Sequence, residues 1–199
     1  MNLRTKLLAA ALVSSLPFAA HAESNYVTTG NAVAHLDFQI VIPRVLFLQI
    51  GTGTSFANNT NVDLIKFSVP AANVGDSTQI SATSGGDVSA GVVTAKVIGN
   101  SGNVTLNATT VGALNNGTAA QTISWTQIST TSSAPANLPA PALTDGGTGT
   151  NQTLTAVNNV VNQSAQWTYK YLNTVVPAQG TYGGANINNG RVTYTASAP

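Results

Sequence analysis

Acid–base and nucleophilic chemistry in proteins draws mainly on His, Asp, Glu, Lys and Cys, and this chain is short of all of them. Its 199 residues include seven Lys or Arg, six Asp or Glu, two His and no Cys, so 7% are charged. An average soluble domain carries about 25%. The one pair with a catalytic look is His35 and Asp37, two apart on the polar face of an alternating run. Such a pair can hydrogen-bond, but no Gly-x-Ser-x-Gly elbow accompanies it, so a solvated strand face is expected. Paired carboxylates would have to come from Asp37, Asp63, Asp76, Asp87 and Asp145, because Glu23 is the single glutamate. The last four lie beside turns or strand ends, where Asp bonds nearby backbone. Gly85-Gly86-Asp87 and Asp145-Gly146-Gly147 echo calcium loops. Each offers one carboxylate, whereas calcium takes about six to eight oxygens. The transition-metal case is weaker still, with His35 the one histidine after residue 22 and no thiolate. Trp125, Trp167, Tyr169, Tyr171, Tyr182 and Tyr194 could line a sugar-binding platform. Trp167, Tyr169 and Tyr171 alternate on one strand face, however, which is the spacing of a core stripe. The reading is a protein without catalytic residues, cofactor or metal.

The N-terminus reads as an export signal. Arg4 and Lys6 give a positive start, Leu7 to Val13 an apolar stretch, and Ala20-His21-Ala22 a small-x-small cleavage site. The apolar stretch is shorter than the ~20 residues a membrane span needs. Residues 1–22 are therefore set aside and Glu23 is taken as the mature start, with no transmembrane segment after it. Loss of Arg4 and Lys6 leaves five basic residues against six acidic ones. Five scattered cations cannot neutralise a run of phosphates, which excludes a nucleic-acid partner.

Polarity comes instead from 27 Thr, 21 Asn, 16 Ser and 18 Gly. Thr suits strands and Asn and Gly suit turns. Period-two runs are expected to form strands at Val45 to Ile50, Val62 to Val69, Thr78 to Thr83, Val92 to Ile98 and Asn103 to Thr110. Others are expected at Gln121 to Ile128, Gln152 to Val157, Ala165 to Val176 and Arg191 to Ser197. Gly-rich and Asn-Gly turns separate them. Short strands at this spacing predict a single all-β antiparallel domain, a sandwich or barrel. The Pro-rich stretch Ala134 to Leu143 is read as a long loop within that domain.

The N-terminal extension, residues 23–44, carries the most distinctive pattern. Ala32, Ala34, Leu36, Phe38, Ile40 and Ile42 share one face, with His35, Asp37 and Gln39 on the other. Eleven residues of strand span about 36 Å at roughly 3.3 Å per residue. Periodicity alone fits equally an edge strand of its own sheet and a strand given to a neighbour, where it would supply main-chain hydrogen bonds and alternate side chains.

The export signal, this extension, the low-charge Thr/Asn/Gly-rich body and the alternating C-terminal strand Gly190-Arg191-Val192-Thr193-Tyr194-Thr195-Ala196 together resemble bacterial pilus or fimbrial subunits. The chain is similar to donor-strand-exchanged pilins of the chaperone–usher type and to related spore-coat-like surface proteins. That resemblance implies an incomplete Ig-like sandwich, or a jelly-roll-like variant, over residues 45–199. It implies an extracellular homopolymer, secreted through the periplasm with a periplasmic chaperone and an outer-membrane usher as partners, and serving adhesion or a biofilm matrix. The donor positions would be Ala32, Ala34, Leu36, Phe38, Ile40 and Ile42. The C-terminal strand would contribute Val192, Tyr194 and Ala196. The alternative function is a monomeric secreted binding module for carbohydrate or surfaces.

Overall fold

A computed structural model describes residues 23–118 and 120–199. The export signal, residues 1–22, lies outside the described residues. The chain divides between Ile42 and Pro43 into two units. Within the first, residues 23–42 contain no strand and every residue is exposed.

The second unit is antiparallel β throughout its sheets. In chain order its strands are β1 (Leu46–Ile50), β2 (Lys66–Phe67), β3 (Ile80–Ser84), β4 (Val92–Gly99), β5 (Val104–Thr110) and β6 (Leu114–Asn115). They continue with β7 (Thr122–Ile123), β8 (Ile128–Ser132), β9 (Gly147–Thr148), β10 (Gln152–Leu154), β11 (Val161–Tyr171) and β12 (Val192–Ser197). One sheet runs β1-β4-β11-β3-β2 with β8 on β11, and a second runs β10-β5-β12 with β9 also on β5. β6 and β7 pair separately as a two-stranded antiparallel sheet. No helix among the described residues is long and apolar enough to cross a membrane.

Period-two alternation decides which faces meet. On β4 the inward residues Val93, Ala95 and Val97 are buried, and on β5 so are Val104, Leu106 and Ala108. On β11, Val161, Ala165, Trp167, Tyr169 and Tyr171 point the same way and are buried. Residues of both sheets form one cluster with Leu154 of β10, so the two sheets face each other across a shared core, as in a sandwich.

Several elements depart from their expected bounds. Val62 to Val69 contributes only β2, because Asp63 turns back to accept hydrogen bonds from the Thr52 backbone N–H (2.7 Å) and hydroxyl (2.8 Å). Gln121 to Ile128 is not one strand. It is β7, a 3₁₀ turn over Trp125–Gln127, and the start of β8. Ser124 accepts from the Thr126 N–H, and Asp145 captures the Trp125 N–H at 2.7 Å. β11 begins four residues earlier than expected and ends at Tyr171. Two residues on, Asn173 takes a left-handed φ of 57°. Its amide is buried, accepting from Gly75 N–H at 3.0 Å and donating to Asn73 C=O at 2.6 Å.

The Pro-rich stretch 134–143 contains no strand, but it is no surface loop. Leu138 is completely buried and joins the central cluster, and Leu143 is buried against Ala108 and Trp125. The Leu138 carbonyl accepts from the buried Trp167 indole N–H at 3.2 Å and from Ser132 Oγ at 2.7 Å. The segment links β8 to β9, the outer strands of the two sheets on that side, and so straps the sandwich shut there.

Leu138→Ala is therefore expected to lower the unfolding free energy by about 2–5 kcal/mol, as for other buried leucines. A surface position away from such features stays within about 0.5 kcal/mol, so denaturant unfolding separates a core strap from a linker.

Candidate assembly seam

The opposite side of the sandwich is built differently. There the outermost strands are β1 in one sheet and β12 in the other. They approach each other without a ladder between them. Among the described residues, no strand pairs with the outer edge of either. An edge of this kind presents unpaired N–H and C=O groups ready for another strand.

The inward side chains along this seam are incompletely covered. Val192, Tyr194 and Ala196 lie on one face of β12, aligned opposite Thr110, Ala108 and Leu106 of β5. Each is half-buried, whereas their β5 neighbours are buried. Leu48 and Ile50 of β1, and Ala198 beyond β12, are likewise only half-buried against the core, and Leu46 is exposed. The β12 positions singled out from sequence are thus brought together with β1 residues that sequence reasoning did not assign to a site. The apolar run Val45 to Ile50 was the available signal, read only as a strand.

Both strands meet at one end of the sandwich, where β1 begins and β12 ends. Arg44 donates to Ala198 C=O at 2.8 Å. Asn100, in the β4–β5 turn, donates to Pro43 C=O at 2.8 Å and accepts from Val45 N–H at 2.7 Å. With Asn100 N–H also donating to Val45 C=O at 3.3 Å, four hydrogen bonds hold the start of the sandwich there.

The six predicted strand-donating positions all lie in the first unit. Ala32 and Ala34 are exposed, and Leu36, Phe38, Ile40 and Ile42 are 71%, 86%, 85% and 77% exposed. Large apolar residues normally sit inside, and this alternating row leaves four of them exposed. His35 Nδ1 lies 2.7 Å from Glu23 Oε2, with both side chains exposed, a surface pair of little energetic weight.

The remaining candidates are structural. Asp87 accepts the Thr94 N–H at 2.7 Å. Asp76 accepts from Asn73 Nδ2 and Thr78 N–H, both at 2.8 Å, which holds its carboxyl below the usual range. Trp125 and Trp167 are buried, with indole N–H groups bound to Gly112 C=O (2.9 Å) and Leu138 C=O. They offer no aromatic platform at the surface.

One polar pair lies under the seam. The hydroxyls of Tyr169 and Tyr194 are 2.8 Å apart, and the Tyr194 ring packs 5.5 Å from that of Trp167. Burial pushes Tyr194 up to about 12 and raises Tyr169 well above the ordinary tyrosine value. In the unfolded chain both would ionise near 10. Their contribution to stability is thus complete below about pH 10 and lost as pH rises through the raised native values, about 12 for Tyr194. An alkaline titration followed at the phenolate absorbance should show a late phase coincident with loss of near-ultraviolet circular dichroism. Tyr194→Phe should shrink that phase.

Compared with protein-family models, curated proteins and solved structures, the chain shows no match.

Proposed function

We propose that the chain is the structural subunit of an extracellular filament, in which the segment 32–42 of one copy completes the β1/β12 seam of the next. The observation that carries this reading is the pairing of two incomplete features in one chain. An alternating apolar row stands exposed, and a sandwich sealed on one side keeps two free strand edges and half-covered core residues on the other. Each supplies what the other lacks. The segment brings backbone donors and acceptors to the free edges and Leu36, Phe38, Ile40 and Ile42 to the uncovered core. Full burial of such side chains contributes about 1.5–3 kcal/mol each. Contact between an arm and a different surface is heterologous, and a heterologous contact that does not close on itself extends without limit. Export, display at the cell surface, help from a periplasmic chaperone and an outer-membrane usher, and a role in adhesion or a biofilm matrix belong to the same reading.

The test uses the full chain with Leu36, Phe38 and Ile40 all changed to Asp. These side chains are exposed, so the variant should remain a folded monomer with unchanged circular dichroism while the parent forms fibres visible by electron microscopy. A synthetic peptide spanning 31–42 should then bind this monomer and raise its thermal midpoint with peptide concentration, as any ligand of the native state does. Fibres from the triple variant, or a midpoint indifferent to the peptide, would overturn the reading.

A further inference from the structure

The seam runs between two ends of the sandwich with different surfaces. At the root end, β1 begins, β12 ends and the β4–β5 turn holds Pro43 and Val45. The turn between β10 and β11 lies at the same end, because Gly102 N–H donates to Asn159 C=O at 3.1 Å and Ala156 N–H to Asn103 Oδ1 at 2.9 Å. That turn is tight. Val157 and Val160 exchange backbone hydrogen bonds of 2.9 and 3.0 Å, and Asn158 and Asn159 between them take φ values of 52° and 63°. Positive φ at both central residues is the geometry of a two-residue hairpin turn. It holds Val157, 72% exposed, and Val160, 45% exposed, out in solvent as a fixed knob.

At the loop end, β5 ends and β12 begins. A cleft of about 180 Å³ opens there, lined by Val111, Ile187 and the residues from Asn186 to Arg191. Val111 is 83% exposed and Ile187 59%. This loop is held in shape: Asn115 N–H donates to Asn188 C=O at 3.1 Å and Asn189 Nδ2 to Ala113 C=O at 2.9 Å. The cleft sits at the mouth of the seam, directly before Val192.

The chain leaves no slack between the arm and its root. Ile42, the last apolar position of the row, is followed at once by Pro43 and Arg44, which are fixed to Asn100 and Ala198. A donated arm that seats Ile42 near Val192 therefore brings its own sandwich against the loop end of the copy it enters. In that direction the arm runs antiparallel to β12, the slightly more stable pairing, and growth stays open-ended. In the opposite direction root would meet root, and two copies would close on each other. Resting on the filament reading, we propose that successive copies also make an end-to-end contact, in which the Val157–Val160 turn of one copy packs into the Val111–Ile187 cleft of the next. The occupant of the cleft is a second copy of this chain, and the contact stiffens the joint that the arm alone would leave as a hinge.

The chain has no cysteine, so introduced thiols report contacts cleanly. Val160→Cys and Ile187→Cys combined in one chain, with Val157→Cys and Val111→Cys as a second pair, should give a ladder of disulfide-linked dimers, trimers and higher species when fibres are oxidised. The ladder should collapse to monomer on reduction. The two positions of each pair lie at opposite ends of one sandwich, so bonds within a copy do not compete. Linked dimers from Val160→Cys alone would show root against root and overturn the proposal. Fibres that stay unlinked with both pairs would also overturn it while leaving strand donation standing. Absence of fibres from the parent chain would overturn both.

Discussion

The buried hydrogen bond from the Trp167 indole to the Leu138 carbonyl organises the sandwich. An indole N–H left unpaired in an apolar interior costs about 1–3 kcal/mol, and here its acceptor comes from the Pro-rich strap rather than from a strand. Leu138 can offer its carbonyl at that depth only because Ser132 also donates to it and the preceding turn folds Leu138 N–H back onto Ala134 C=O at 2.8 Å. The strap then runs on to Leu143 and Asp145. There the Thr110 hydroxyl donates to Thr144 C=O and accepts from Gly146 N–H at 2.9 Å. One side of the sandwich is sealed by its own chain through these contacts. On the β1/β12 side, among the described residues, no such strap covers the two outer edges or the half-buried Leu48, Ile50, Tyr194, Ala196 and Ala198.

The low charge of the chain follows from the same economy. Asp63, Asp76, Asp87 and Asp145 each accept a backbone N–H at a turn or between loops. Their carboxylates serve as fixed acceptors for amides that secondary structure leaves over. Among the described residues, no three His, Cys, Asp or Glu side chains come together. The ionisable groups that the core does hold are phenols, Tyr169 and Tyr171 of β11 with the half-buried Tyr194 of β12, each of which burial keeps neutral.

Strands with a strict two-residue alternation were legible in the sequence: β4, β5 and β12 lie where the pattern put them and β11 overlaps its expected run, because a one-residue slip would turn each buried face to solvent. The 121–128 stretch has the same pattern and fails as a strand. Its outcome depends on Asp145, 20 residues away from Trp125, which no local window contains. The Pro-rich strap is irregular and lies within the one domain, as its composition indicates, but composition does not mark Leu138 and Leu143 as buried. Along the seam, the alternation of Val192, Tyr194 and Ala196 was legible as one face of β12. Sequence did not identify β1 as the opposing edge, since half-burial of Leu48 and Ile50 is a property of what lies across from them.

The residues at the root bear on whether the arm completes its own sandwich or another. Entering its own seam beside β1 would require the chain to reverse over Pro43, Arg44 and Val45. Tight reversals between strands rely on Gly, Asn or Asp to take positive φ, and none of the three residues is of that kind. Pro43 has no N–H to give to a ladder, and its φ is fixed by its ring. The groups that a hairpin there would need are also engaged: Asn100 holds Pro43 C=O and Val45 N–H together. Undoing that clamp would leave polar groups unpaired at the end of the core, whereas pairing with a neighbour's seam leaves it intact. The root thus disfavours a tight hairpin back onto β1, the step that self-completion needs and the proposed donation does not. This is a preference that periodicity in residues 32–42, equally suited to either, does not contain.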